Sequence, residues 1–310
     1  MSAQIHPASL NFLRHSGIVM VGGFTSHFVL RYRRCVPIKA TMKAKICAIL
    51  VLISLPVSVR GQESLWKEMN TRAAKLYQEG RYLEAISATK QGLEIAEKTF
   101  GSSHPNVAVS LNNLAELYKT QRNYTDAEPL YTRALAIDEK ALGKDHPEVA
   151  TDLNNLGTLY QAQGKFIEAE HLYTRALAIM GKALGPDHPQ VATSFNNLAE
   201  LYRAQGKYAE AEPLYERALE IDEKALGKDH PDVATVLNNL GALYHGQSKY
   251  IEAERMYRRA LAIMEKTLGP DQPDIATVLE NLADFYRQMG KDAEAERLQK
   301  RAADIRSKDR

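Results

Sequence analysis

An all-α solenoid of stacked helix pairs is the fold class this chain predicts, and three observations predict it. His-Pro pairs stand at His104-Pro105, His146-Pro147, His188-Pro189 and His230-Pro231, with Gln272-Pro273 as a fifth copy, always 42 residues apart. An Asn pair follows each one, at Asn112-Asn113, Asn154-Asn155, Asn196-Asn197 and Asn238-Asn239, reduced to Glu280-Asn281 in the last copy. Within each period, apolar residues recur at helical rather than strand spacing. A fixed period of this size marks units that bury their apolar faces only against neighbours.

The elements follow in chain order. Residues 1–41 show no clear period and remain unassigned: either the true start is Met42, or they form a basic targeting leader. Residues 42–61 read as a secretory signal. Lys43 and Lys45 form a charged start, Ile46 to Leu55 an apolar run, and Val59 and Gly61 suit a cleavage before Gln62. The run is too short for a comfortable membrane span. Export to the periplasm or the exterior of a bacterium is expected, with anchoring by an uncleaved 46–55 segment as the alternative.

Residues 62–310 form the repeat body. A divergent first copy covers about 64–103 and keeps only Asn70 of the Asn pair. Clear copies span 105–146, 147–188, 189–230 and 231–272, and a final copy spans 273–310. In the copy at 147, Val149, Leu153, Leu156, Gly157 and Tyr160 mark one face of a first helix. Pro147 suits its first turn, where a missing N–H costs little. Gln163-Gly164-Lys165 makes a turn. Phe166, Ala169, Tyr173, Ala176, Leu177 and Met180 mark a second helix, which Leu184-Gly185-Pro186-Asp187 ends. In the last copy Asp292 and Gln299 replace aromatics and the tail is heavily charged. That is the polar outer face a terminal repeat needs.

A second period lies inside the first. Residues 127–156 and 211–240 differ only at Thr132/Glu216, Ala136/Glu220, Glu148/Asp232 and Asp152/Val236. The unit therefore reads as duplicated in pairs, and ligand contacts should alternate down the stack.

Composition narrows the function. Residues 1–61 hold eight of the 40 basic residues and no acidic one, so the rest carries 32 basic against 38 acidic, a net of −6. That balance argues against a nucleic-acid partner. Both cysteines, Cys35 and Cys47, precede the repeats, which leaves no thiol chemistry in the body. No P-loop, HExxH or GxSxG motif occurs. Neither an enzyme nor a cofactor is expected. The His-Pro histidines come from different repeats, and packed helices lie roughly 8–10 Å apart. Loop or cap roles are expected for them, and no metal. Glu168, Glu170 and Glu212, interspersed with Arg175 and Arg217, read as a solvated face.

The order Leu156-Gly157, Tyr160, Gly164, Phe166, Ala169, Tyr173, Ala176 resembles the tetratricopeptide repeat. The longer period and the stretch DHPEVATDLNNLGTLY are similar to its kinesin-light-chain variety. The resemblance covers roughly residues 64–310. It implies a right-handed superhelix whose first helices line a concave groove that takes a protein or peptide. Carried over, it places Asn112, Asn113, Asn154, Asn155, Asn196, Asn197, Asn238, Asn239 and Asn281 on that groove. One row of neighbours is Glu116, Thr158, Glu200, Ala242 and Asp284. A second is Lys119, Gln161, Arg203, His245 and Arg287. Asn is a poor helix former, so repeated pairs invite a reason beyond propensity. Each amide both donates and accepts, and a ladder of them can pair with an extended backbone. The other reading is that they bond to adjacent repeats and hold their angle. Self-association into a structural polymer is the rival function, against which the polar last repeat speaks.

Overall fold

The computed structural model describes residues 61–308. The leader at 1–41 and all of the expected signal except Gly61 lie outside the described residues, as do Asp309 and Arg310. Among the described residues there are helices and turns but no strand. Helix α1 covers 61–78. The rest are α2 (Tyr82–Phe100), α3 (Pro105–Thr120), α4 (Tyr124–Leu142), α5 (Pro147–Ala162), α6 (Phe166–Leu184), α7 (Pro189–Ala204), α8 (Tyr208–Leu226), α9 (Pro231–Gly246), α10 (Tyr250–Leu268), α11 (Pro273–Gln288) and α12 (Asp292–Lys308). No helix among the described residues is long and apolar enough to cross a membrane.

The His-Pro pair explains the starts of α3, α5, α7 and α9. Pro105, Pro147, Pro189 and Pro231 begin their helices, where the absent N–H is not missed. The preceding histidine caps: the Nδ1 atoms of His104, His146, His188 and His230 accept the backbone N–H two residues on, at 3.1–3.2 Å. Gln272 makes no such bond. The second helices α2, α4, α6, α8 and α10 end at Gly101, Gly143, Gly185, Gly227 and Gly269, with φ of 88 to 95° and ψ of 151 to 156°. Only glycine adopts that region without strain. The junction therefore keeps one shape, and the period stays constant.

Inside a pair, small residues meet a tyrosine. Ala127, Ala169, Ala211 and Ala253 are fully buried, and Tyr131, Tyr173, Tyr215 and Tyr257 are at most 1% exposed. A Cβ on Gly157 would stand 2.6 Å from Tyr173 Cε1, and one on Gly241 2.8 Å from Tyr257 Cδ1. The expected helix faces are the buried ones. Leu153, with no exposed surface, contributes on the order of 2 kcal/mol by leaving water.

Successive first helices touch one another: α3 with α5, α5 with α7, α7 with α9, and α9 with α11. The second helices are tied mainly by long side chains. Arg133, Arg175, Arg259 and Arg301 each reach Glu97, Glu139, Glu223 and Glu265 on the preceding second helix at 2.5–2.6 Å. The layer whose members lie closer together is the inner one of a curved stack, which puts the first helices on the concave side.

One expectation needs correction. Glu170 and Glu212 do not stand on a purely solvated face. Glu170 accepts the Tyr202 hydroxyl at 2.9 Å, and Glu212 accepts from Gln247 at 3.0 Å and from Lys249 at 3.1 Å. Glu128 and Glu254 do the same toward Tyr160 and Tyr286. These carboxylates bind the next repeat. In Glu128, Glu212 and Glu254 burial raises the carboxyl group while the bonds it accepts lower it, and the net shift is downward.

Candidate functional site

The inner layer of α3, α5, α7, α9 and α11 carries every residue the sequence nominates for binding. The first Asn of each pair sits in the seam between neighbouring first helices. Its partner depends on the residue two positions before the Asn pair of the next repeat. Where that residue is polar, the Asn donates forward: Asn112 Nδ2 to Asp152 Oδ1 at 2.5 Å and Asn154 Nδ2 to Ser194 Oγ at 3.4 Å. Where it is Val236 or Val278, the bond reverses. Asn196 Oδ1 then accepts from Asn239 Nδ2, and Asn238 Oδ1 from Asn281 Nδ2, both at 3.0 Å. The ladder changes direction once, in the middle of the chain.

Several of these amides thus link adjacent repeats. Asn113, Asn155 and Asn197 do not. Among the described residues their side chains make no hydrogen bond; Asn113 and Asn155 are half-buried and Asn197 is buried. Asn112 Oδ1 and Asn154 Oδ1 also lack a donor.

The two neighbouring rows interlock. Glu116 accepts the Tyr131 hydroxyl at 2.7 Å and pairs with Lys119 Nζ at 2.7 Å, and Lys119 also donates to Thr158 Oγ1 at 3.0 Å. Glu200 accepts the Tyr215 hydroxyl at 2.7 Å and grips Arg203 through two bonds of 2.8 and 2.5 Å. Gln161 accepts the Tyr173 hydroxyl at 3.0 Å. His245 Nε2 lies 2.6 Å from Gln288 Oε1. Arg287 pairs with Asp284 at 2.7 Å and donates to Gln299. Glu116 and Glu200 are 9% and 6% exposed, so these ion pairs are largely desolvated. Burial, then the nearby carboxylate, holds the Tyr131 and Tyr215 hydroxyls well above the ordinary tyrosine range.

Apolar spacing places Tyr173 on a packed helix face; the structure adds that Tyr131, Tyr173 and Tyr215 reach the groove through their hydroxyls. The signal was there: Tyr rather than Phe at a buried, repeated position asks for a polar partner at its tip. On the groove edge, Thr151, Thr193 and Thr235 turn their hydroxyls back to the carbonyls of Pro147, Pro189 and Pro231 at 3.3–3.4 Å. Among the described residues, no cluster of His, Cys, Asp or Glu could hold a metal ion.

Comparisons with known proteins agree with this architecture. The tetratricopeptide repeat family matches in overlapping segments at residues 66–140, 120–182, 153–224, 190–266 and 232–308. No curated protein sequence matches the chain. Among solved structures, BtubC (BKLC) from P. vanneervenii is 28% identical, with a TM-score of 0.55 over 74% of this chain and 90% of that one. A putative kinesin light chain of Podosopora anserina, with nearly identical repeats, is 31% identical with a TM-score of 0.52 over 68% and 97%. A Rap protein complexed with Competence and Sporulation Factor shares the fold at 17% identity, with a TM-score of 0.57 over 82% and 79%. The chain belongs to the tetratricopeptide repeat family, and its repeats are of the kinesin-light-chain-like variety.

Proposed function

We propose that this protein is a non-catalytic scaffold that holds an extended protein or peptide segment along the groove of α3, α5, α7, α9 and α11. The observation that carries the reading is the state of the groove's polar groups. Its charges neutralise one another, as in Lys119–Glu116, Arg203–Glu200 and Arg287–Asp284. Asn113 and Asn155 stay half-exposed and uncommitted. Such a surface offers neutral donors and acceptors to a backbone and little net charge to a charged ligand. It is also preformed, so binding orders few side chains. The factor bound to the Rap protein supports a partner of this kind.

The scaffold is exported, on the strength of the segment from Met42 to Gly61. Mass spectrometry of the protein recovered from the cell envelope should find Gln62 as its first residue. A recovered chain that retains Ile46–Leu55 points instead to the anchored form.

The groove is tested with a random-peptide display library selected against the full chain. Binding is then measured for the double variant Asn113→Leu/Asn155→Leu. Among the described residues neither amide side chain makes a hydrogen bond, so the variant should melt close to wild type. Its affinity for selected peptides should fall about tenfold, which is 1.4 kcal/mol. Equal affinities would sink the groove reading. Growth into polymers in a light-scattering concentration series would favour the self-associating alternative.

A further inference from the structure

The seam between the α3–α4 repeat and the α5–α6 repeat buries two carboxyl groups. Asp138 of α4 is 4% exposed and Asp152 of α5 is 1% exposed. Among the described residues one donor reaches the pair, Asn112 of α3, whose Nδ2 lies 2.5 Å from Asp152 Oδ1. Asp138 Oδ1 and Asp152 Oδ2 are buried without any donor. The two carboxyls are within hydrogen-bonding reach of each other. Two carboxylates so placed in a dry site cannot both stay ionised. A proton between them supplies the bond that each bare oxygen lacks. In the sister seam Asp222 is buried as well, and α9 has Val236 where α5 has Asp152.

We propose that Asp138 and Asp152 share one proton and act as a pH-operated latch, closing this seam while the proton is held and loosening it when the proton leaves. Ionised, the pair becomes two buried charges with Asn112 as the one donor between them. Glu148, one turn before Asp152 on α5, adds a third negative charge to the surroundings. Among the described residues no cation acts on either acid, and Arg175 of α6 is taken by Glu139 at 2.6 Å. Burial pushes both groups above the usual carboxylate range, Asp152 to about 8, and the charge of Glu148 pushes the same way, while Asn112 pulls Asp152 back down.

The sign follows. An unfolded Asp releases its proton near about pH 3.9, and the folded pair releases it later. The folded state therefore binds more protons from about pH 4 up to about pH 8, and stability falls as pH rises through that window.

Two measurements on the full wild-type chain test the latch. Carbon-13 carboxyl NMR, assigned with Asp138→Asn and Asp152→Asn, should show at least one of the two acids still protonated at about pH 6. Hydrogen exchange, corrected for its intrinsic pH dependence, should show protection at the α4–α5 seam falling about tenfold relative to the α8–α9 seam between about pH 6 and about pH 9. Both acids ionising below about pH 5, or protection that falls equally at the two seams, would overturn the proposal. Asp152→Val, which installs the sister residue, should flatten the decline of melting temperature with pH. An unchanged slope in that variant counts against the latch as well.

Discussion

Arg122 and Ser248 occupy a turn position where the other repeats have glycine, and both have a left-handed backbone, with φ of 58° and 61°. A side chain there costs about 1–2 kcal/mol. Arg122→Gly and Ser248→Gly should each raise the urea midpoint, by about 1 kcal/mol in stability. Gly157 presents the opposite case. Tyr173 lies across it, so Gly157→Ala should destabilise by about 1–3 kcal/mol despite alanine's helix preference. The sister positions hold Ala115 and Ala199 without harm, beside tyrosines that point to Glu116 and Glu200. Thermal melts of the two kinds of variant check both signs. Much of this scale was legible in the sequence: alternation of Gly and Ala announced two kinds of repeat. The tyrosine hydroxyl partners were not, because they depend on which residue of another helix stands within about 3 Å.

Helices α3, α5, α7 and α9 are started by proline and capped by histidine, and α2, α4, α6, α8 and α10 are stopped by a glycine in a region that other residues enter only with strain. His188→Ala should therefore cost about 1 kcal/mol, the usual worth of an N-cap, measured by chemical denaturation. Helix α6 has a defect. Its Gly181 stands where Glu97, Glu139, Glu223 and Glu265 bind the arginine of the next second helix. Arg217 turns instead to Asp187 at 2.6 Å and Glu220 at 2.5 Å, and Asp187 also takes Lys224 at 2.5 Å. One carboxylate there serves two cations. Gly181→Glu should restore the missing tie, and helix propensity alone should add about 0.5–1 kcal/mol. Helix boundaries were readable from punctuation and periodicity. The cross-repeat ties were not: Glu170 and Glu212 looked like solvent-facing charge because sequence spacing within one helix says nothing of the neighbour 32 to 37 residues on.

For the whole molecule, periodicity made the stacking legible, since a 42-residue unit with one apolar face per helix has nowhere else to bury it. The paired duplication suggested strict alternation along the stack. The groove rows do alternate, with acids at Glu116, Glu200 and Asp284. The Asn ladder does not, because its direction follows Ser194 and Asp152 on one side and Val236 and Val278 on the other. That residue lies buried in a seam, so its effect emerges only once the helices are stacked. The defect at Gly181 has a mechanical consequence. Held by its two ends, a stack of repeats is a set of springs in series, and every seam feels the same tension. Among the internal seams, the one after α6 lacks the helix-to-helix guanidinium tie, so it should yield first and act as a fuse. In an optical trap, the first rupture should divide the chain near residue 185, and Gly181→Glu should move it elsewhere.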